Sequence, residues 1–321
     1  MSKITTALCF AAIAFALAVK PAFAQSLAGK TVKIVVPYAA GGTGDMLARV
    51  LAQTITQKTG QAIIVEDRPG ASSIVGTEYA ARAAPDGTTV LLVQNPFILS
   101  AIIFPGHYDT QTAFEPLCYV AATPAVLAVS SKSDIQTLAD FVKLAKSKAG
   151  AVSYGSTGLA SIAHIAGELL KRDAKADITY VPYPGSPPAM NATLAGTITA
   201  VIANYSDLKG QIDSGALRPI AVPAKKRSVA LPDVPTLAEN GFNDVDAAVW
   251  FGFVVPAKIP NDVVAQLSQY ISDAVTAPAA VDRLKSQGMF INLFCGADFG
   301  KFLAQEHRTY TQFTAEFNIK P

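Results

Sequence analysis

Short apolar runs alternate with amphipathic stretches along most of the chain. Val32–Val36 is nearly all apolar, the pattern of a strand buried on both faces of a parallel sheet. A glycine-rich turn follows, and then Met46, Leu47, Val50, Leu51 and Ile55 recur at helical spacing until Gly60 stops them. Further strands are predicted at 63–65, 89–93, 126–129, 151–154, 178–181, 198–202, 217–222 and 249–255. Helical periodicity falls between them, over about 136–148, 160–172, 187–195, 206–214, 261–276, 278–287 and 297–317. This alternation predicts an α/β fold of mainly parallel sheets flanked by helices.

The opening residues stand apart from that rhythm. Lys3 precedes an uncharged run over 7–19, which is too short for a bilayer that needs about 20 apolar residues. Ala22-Phe23-Ala24 then gives a small-x-small cleavage pattern, so 1–24 is expected to be a signal peptide cut before Gln25 and the mature chain to be periplasmic. The remaining length suits about two domains. Turn clusters at 95–124 and 222–235 mark two crossings between them. They would build the first domain from 25–123 and 224–321 and the second from 124–223. Two crossings make a hinge, and a hinge over a cleft suits a protein that closes on a ligand.

Composition narrows the function classes. Half of the residues are hydrophobic, which excludes a disordered chain. Lys and Arg total 26 against 24 acids, and the leader takes away Lys3 and Lys20, so no basic excess is left to attract nucleic acid. Cys118 and Cys295 remain in an oxidising compartment, either bridged or buried as two apolar thiols.

Two strand-to-helix turns carry the candidate chemistry. The first is Pro37-Tyr38-Ala39-Ala40-Gly41-Gly42-Thr43-Gly44, with Asp45 as a helix-stabilising acid behind it. The second is Tyr154-Gly155-Ser156-Thr157-Gly158-Leu159-Ala160-Ser161, with His164 one turn further on. The unpaired N–H groups and the dipole of a helix N-terminus attract a carboxylate or phosphate, and glycine lets the backbone approach it. Two such turns in two domains suit one small anion held from both sides. Read without a ligand, the same segments are a glycine-rich connector and an ordinary N-cap.

The enzymatic alternative is a nucleotide-dependent oxidoreductase on a Rossmann-like domain, because Gly42-x-Gly44 opens a helix and Glu66 and Asp67 follow the next strand. Against it, Leu47 holds the third glycine position and an exported protein has no ready supply of nicotinamide. His107, His164 and His307 are too scattered for a metal site, and no nucleophile, base and orienter assemble. Neither a cofactor nor a catalytic residue is expected.

The same residues carry a resemblance over essentially the whole mature chain. Its segments are Pro37 to Gly42 with Asp45, Arg68-Pro69-Gly70-Ala71, Ala84-Pro85-Asp86-Gly87-Thr88-Thr89, Tyr154-Gly155-Ser156 with His164, Gly167 and Glu168, Val181-Pro182-Tyr183 with Gly185, Leu231-Pro232-Asp233-Val234-Pro235-Thr236 with Gly241, and Trp250-Phe251-Gly252 with Pro256-Ala257. In order and spacing they resemble the Bug family of periplasmic solute-binding proteins, the receptors of tripartite tricarboxylate transporters. The resemblance implies a two-lobed clamshell that holds a small organic mono- or dicarboxylate and delivers it to membrane permease subunits. A receptor used only for sensing is the variant reading. The chain would act as a monomer.

Carried over by position, the first-loop contacts are Tyr38, Ala39, Ala40, Gly41 and Thr43. Those of the second loop are Ser156, Thr157, Leu159, Ala160 and Ser161, with His164. Asn95, Asn204 and Tyr205 are added as residues at strand ends that point into the cleft. Four positions depart from the family pattern: Asp67 replaces Asn, Pro184 replaces Lys or Arg, and Thr199 and Ala203 stand where Asp is frequent. A missing carboxylate at Ala203 tilts the expected ligand toward a plain carboxylate over an amino acid.

Overall fold

The computed structural model describes residues 27, 29–242, 247–316 and 319. The expected leader at 1–24 lies outside the described residues. The first lobe begins with β1 (Val32–Val36), α1 (Thr43–Thr59), β2 (Ile63–Asp67), α2 (Ile74–Ala81), β3 (Thr89–Val93) and α3 (Asn95–Ile103). The long strand β4 (Phe114–Ser130) leads into the second lobe. There follow α4 (Leu138–Ser147), β5 (Val152–Ser156), α5 (Ile162–Ala174), β6 (Ile178–Pro182), α6 (Ser186–Leu194), β7 (Ala200–Asn204), α7 (Tyr205–Asp213) and β8 (Leu217–Ala221). The chain then returns through β9 (Ala248–Pro256), α8 (Asn261–Val275), α9 (Pro278–Ser286), β10 (Phe290–Cys295) and α10 (Ala297–Glu316).

The first sheet runs β2-β1-β3-β9-β4-β10 and the second β6-β5-β7-β4-β8, with β4 common to both. The two-lobed α/β arrangement is as the sequence pattern implies. The expectation of mainly parallel sheets is corrected. Only β1 with β2 and β3, and β5 with β6 and β7, pair parallel; every pairing of β4 or β9 is antiparallel. Geometry requires this. A strand that feeds a helix at the cleft runs toward the cleft, whereas a strand arriving from the other lobe starts there and runs away from it.

The 95–124 segment is not the turn cluster its prolines suggest. It contains α3, with Pro96 in the first turn where a missing N–H costs nothing, and the first half of β4. Pro116 sits beside a bulge in β4, and Pro124 stands where the strand exchanges β9 for β7. β10, which the sequence pattern does not predict, is bulged between Ile291 and Phe294. The expected return to the first domain at 224 also differs from the packing. Val222 bridges to Thr236, and Leu231 and Val234 fill the second lobe's core beside Val126 and Leu208. These apolar side chains keep 222–236 on the second sheet.

Cys118 and Cys295 are bonded to each other across the β4–β10 ladder, which resolves the two states left open by sequence. The bridge spans 177 residues of sequence and ties the chain's last strand to the shared one. Replacing both cysteines with alanine is expected to lower stability by about 2–4 kcal/mol. Denaturant unfolding of the double variant beside the oxidised parent checks this, and coincident curves would contradict it.

Candidate functional site

A cavity of about 700 Å³ opens between the two sheets, walled by loops of both lobes. The reason lies in the strand directions: β1, β3, β5 and β7 all end here, so α1, α3, α5 and α7 all start here, joined by α6. Helix N-termini present unsatisfied N–H groups and the positive end of a dipole, so the wall favours an anion. Among the described residues lining it, Asp207 is the only one with a charged side chain. Pro184, where the family pattern favours a cation, is a wall residue. Any anion bound here is therefore met by amides and hydroxyls.

The first loop brings Tyr38, Ala39 and Thr43 to the cavity, with Gly42 and Gly44; Ala40 and Gly41 are exposed and not part of the lining. Several of its N–H groups are already engaged. Gly41 donates to Asp45 Oδ2 at 2.9 Å, and Asp45 in turn pairs with Arg49. Gly42 N–H reaches Ala39 O at 3.4 Å. Thr43 N–H donates to Asp207 Oδ1 at 2.9 Å, and the Thr43 hydroxyl reaches the same oxygen at 2.5 Å. Asp207 belongs to α7 of the opposite lobe, and its Oδ2 accepts the Ser186 hydroxyl at 2.6 Å.

In the second loop Thr157 and Ser161 line the cavity with Gly158, whereas Ser156, Leu159, Ala160 and His164 lie behind the wall. Ser161 caps α5 by accepting from His164 N–H at 3.1 Å. Ser156 Oγ is 3.1 Å from Ser161 Oγ and 3.2 Å from the Tyr180 hydroxyl, so it braces the turn from inside. The His164 ring stacks on Tyr180 with centroids 4.1 Å apart, and its Nδ1–H donates to Leu159 O at 2.7 Å. Burial pushes its pKa below the ordinary 6.5, opposed by the Leu159 carbonyl and by Glu168. His164 shapes the loop from behind.

Asn204 lines the cavity, but Tyr205 packs into the second core, beside Gly288, with its ring where a Cβ would stand 2.3 Å away. Asn95 lines the wall as the first residue of a helix, not as a strand end, and holds Ala248 O and the Tyr310 hydroxyl through Nδ2. Ala203 is buried in the second core and is not part of the wall. The wall's carboxylate comes instead from Asp207, four positions later.

Sequence reasoning missed Asp207, Ser186 and the Gly70–Ser73 loop. That loop reaches across to the second lobe, where a Cβ on Gly158 would stand 2.9 Å from Ser72 Oγ. Ala71, Ser72 and Ser73 have φ of 46°, 51° and 79°, a left-handed run that L-residues adopt only under constraint. Ser100 holds it by donating to Ser72 O. The signal for Asp207 was available: an acid in the first turn of a helix that follows a strand ending at the cleft.

Two lobes joined by crossing strands around an anion-favouring cleft define a periplasmic-binding-protein-like solute receptor. Comparison with known proteins agrees. The model of the tripartite tricarboxylate transporter family receptor matches residues 47–318, and the chain belongs to that family. It is a Bug-type receptor, and the family is one of binding proteins, not enzymes, which sets the oxidoreductase alternative aside. The chain is 32% identical over 271 residues to Protein BugT of Bordetella pertussis, covering 84% of this chain and 83% of that one. A solved periplasmic transporter is 32% identical with a TM-score of 0.86, covering 92% of this chain and 99% of that chain. An R. palustris protein solved with adipate is 28% identical with a TM-score of 0.84, covering 91% and 99%.

The buried histidine gives a pH test. Because its folded pKa lies below 6.5, the unfolded chain takes up the proton first as pH falls. Above 6.5 the group contributes no pH dependence, and below it stability is lost until the lowered folded value is passed. His164→Gln is expected to flatten the decline in unfolding free energy between about pH 7 and pH 5. An unchanged slope in denaturant titrations at each pH would refute the assignment.

Proposed function

We propose that this chain is an exported receptor that captures a small organic carboxylate between its lobes and delivers it to a membrane permease. The observation that carries the reading is the cavity wall: helix N-termini converge on it, and no lysine, arginine or histidine is among its described lining residues. Such a wall recognises a carboxylate through neutral donors and leaves selectivity to the apolar surface around it. We assign ligand contact to Tyr38, Ala39, Asn95, Thr157, Ser161 and Asn204, and add Ser72 and Ser73; Thr43 lines the wall with its donors held by Asp207. Ala40, Gly41, Ser156, Leu159, Ala160, His164 and Tyr205 act as support. The adipate found in a structural relative is consistent with this ligand class.

Residues 1–24 serve as the leader that takes the chain across the inner membrane. The lobe boundaries fall at 124/125, where β4 changes partner, and just before β9, where the chain leaves the second lobe's core.

A thermal-shift screen of the mature protein against organic carboxylates tests the reading. A ligand at about 100 times its Kd adds about 2.7 kcal/mol, which moves the midpoint by several degrees. No shift across mono-, di- and tricarboxylates would refute it. Gly42→Asp tests the first loop separately. Gly42 has an ordinary φ of −80°, and a Cβ there meets Ala39 O at 3.4 Å, so the fold survives. The added negative charge on the wall is expected to weaken binding at least about tenfold. Unchanged affinity would remove the first loop from the site.

A further inference from the structure

We propose that Asp207 is a resident carboxylate that fills one anion position of the cleft and so restricts the receptor to ligands bearing a single carboxylate. The inference rests on the carboxylate-receptor reading above and sharpens its ligand class. The helix α1 begins at Thr43 with Gly42 before it, and no side chain of its own loop caps it. The cap comes from the other lobe. Asp207 Oδ1 accepts both the N–H and the hydroxyl of Thr43, and Oδ2 accepts Ser186. Thr43 and Ser186 are 5% and 4% exposed, so these are buried donors with a built-in acceptor.

A carboxylate at a helix N-terminus is what this loop is shaped to hold, and the protein supplies it itself. Asp45 takes the Gly41 N–H in the same turn. A second ligand carboxylate at this end would meet Asp207, with no cation in the described wall to offset it. The opposite side of the cavity differs. Ser73 Oγ and Tyr38 Oη are buried close to each other behind the wall, and Ser73 is 2% exposed. Thr157, Gly158 and Ser161 line this side, at the N-terminus of α5, with no charged side chain among them. One carboxylate therefore has donors to meet it, while the far end of the ligand meets Asp207 and the prolines of α6.

Titration calorimetry on the mature chain tests this with length-matched pairs: hexanoate against adipate, and benzoate against terephthalate. The monoacid is expected to bind at least tenfold tighter than its diacid. Asp207→Ser frees the Thr43 donors and is expected to shift the diacid-to-monoacid affinity ratio at least tenfold toward the diacid. Asp207→Asn, which keeps the side chain's size, shifts it in the same direction and serves if the serine variant does not melt as a folded protein. Asp213→Asn removes a charge from the exposed end of the same helix and is expected to move the ratio less than twofold. Wild-type preference for the diacids, or a ratio unmoved by both Asp207 variants, overturns the inference and leaves the receptor reading standing. If no member of either series binds, the inference falls, and the receptor reading falls with it only if the wider carboxylate screen is also empty.

Discussion

Everything about the cleft depends on the direction of the strands that end there. β1, β3, β5 and β7 all run toward the gap between the lobes, so the helices that follow them point their N-termini into it. The backbone thereby supplies positive potential and N–H donors without spending a cationic side chain. A lysine or arginine would bind any anion tightly from many geometries. Fixed amides hold a carboxylate only where the loop geometry allows, which suits a receptor that must later release it.

The same constraint explains the mixed sheets. Strands that cross between lobes start at the cleft, so β4 in the second sheet and β9 in the first oppose their neighbours. β4 serves both sheets, and the Cys118–Cys295 bond anchors its first half to β10. One of the two crossings between the lobes is thus a continuous strand, which exchanges partners near Pro124 and Ala125. Asp207 spans the gap and ties the first turn of α1 to the start of α6.

Much of the fold was legible in the chain. An apolar run such as Thr89–Val93 is a strand because a doubly covered sheet buries every side chain of such a run. The 95–124 region was not legible, because Pro96, Pro116 and Pro124 mark turns in general but here occupy a helix start, a bulge and a strand junction. At the candidate site, Tyr38, Thr43, Thr157 and Ser161, expected from their turns, line the cavity. His164 does not line the cavity, because helical spacing alone does not say which way a residue one turn in will face, and its ring stacks on Tyr180.

The amino-acid sequence by itself determined the alternation of strand and helix, the two glycine- and serine-rich turns, and the family to which the chain belongs. Local periodicity and turn chemistry are short-range properties, so they survive being read along one dimension. Which side chains share the cleft was decided only by tertiary structure. Thr43 and Asp207 lie 164 residues apart in the chain, and Gly158 meets Ser72 from the other lobe. Such meetings depend on how two sheets sharing one strand are set against each other, and no local pattern in the sequence encodes that angle.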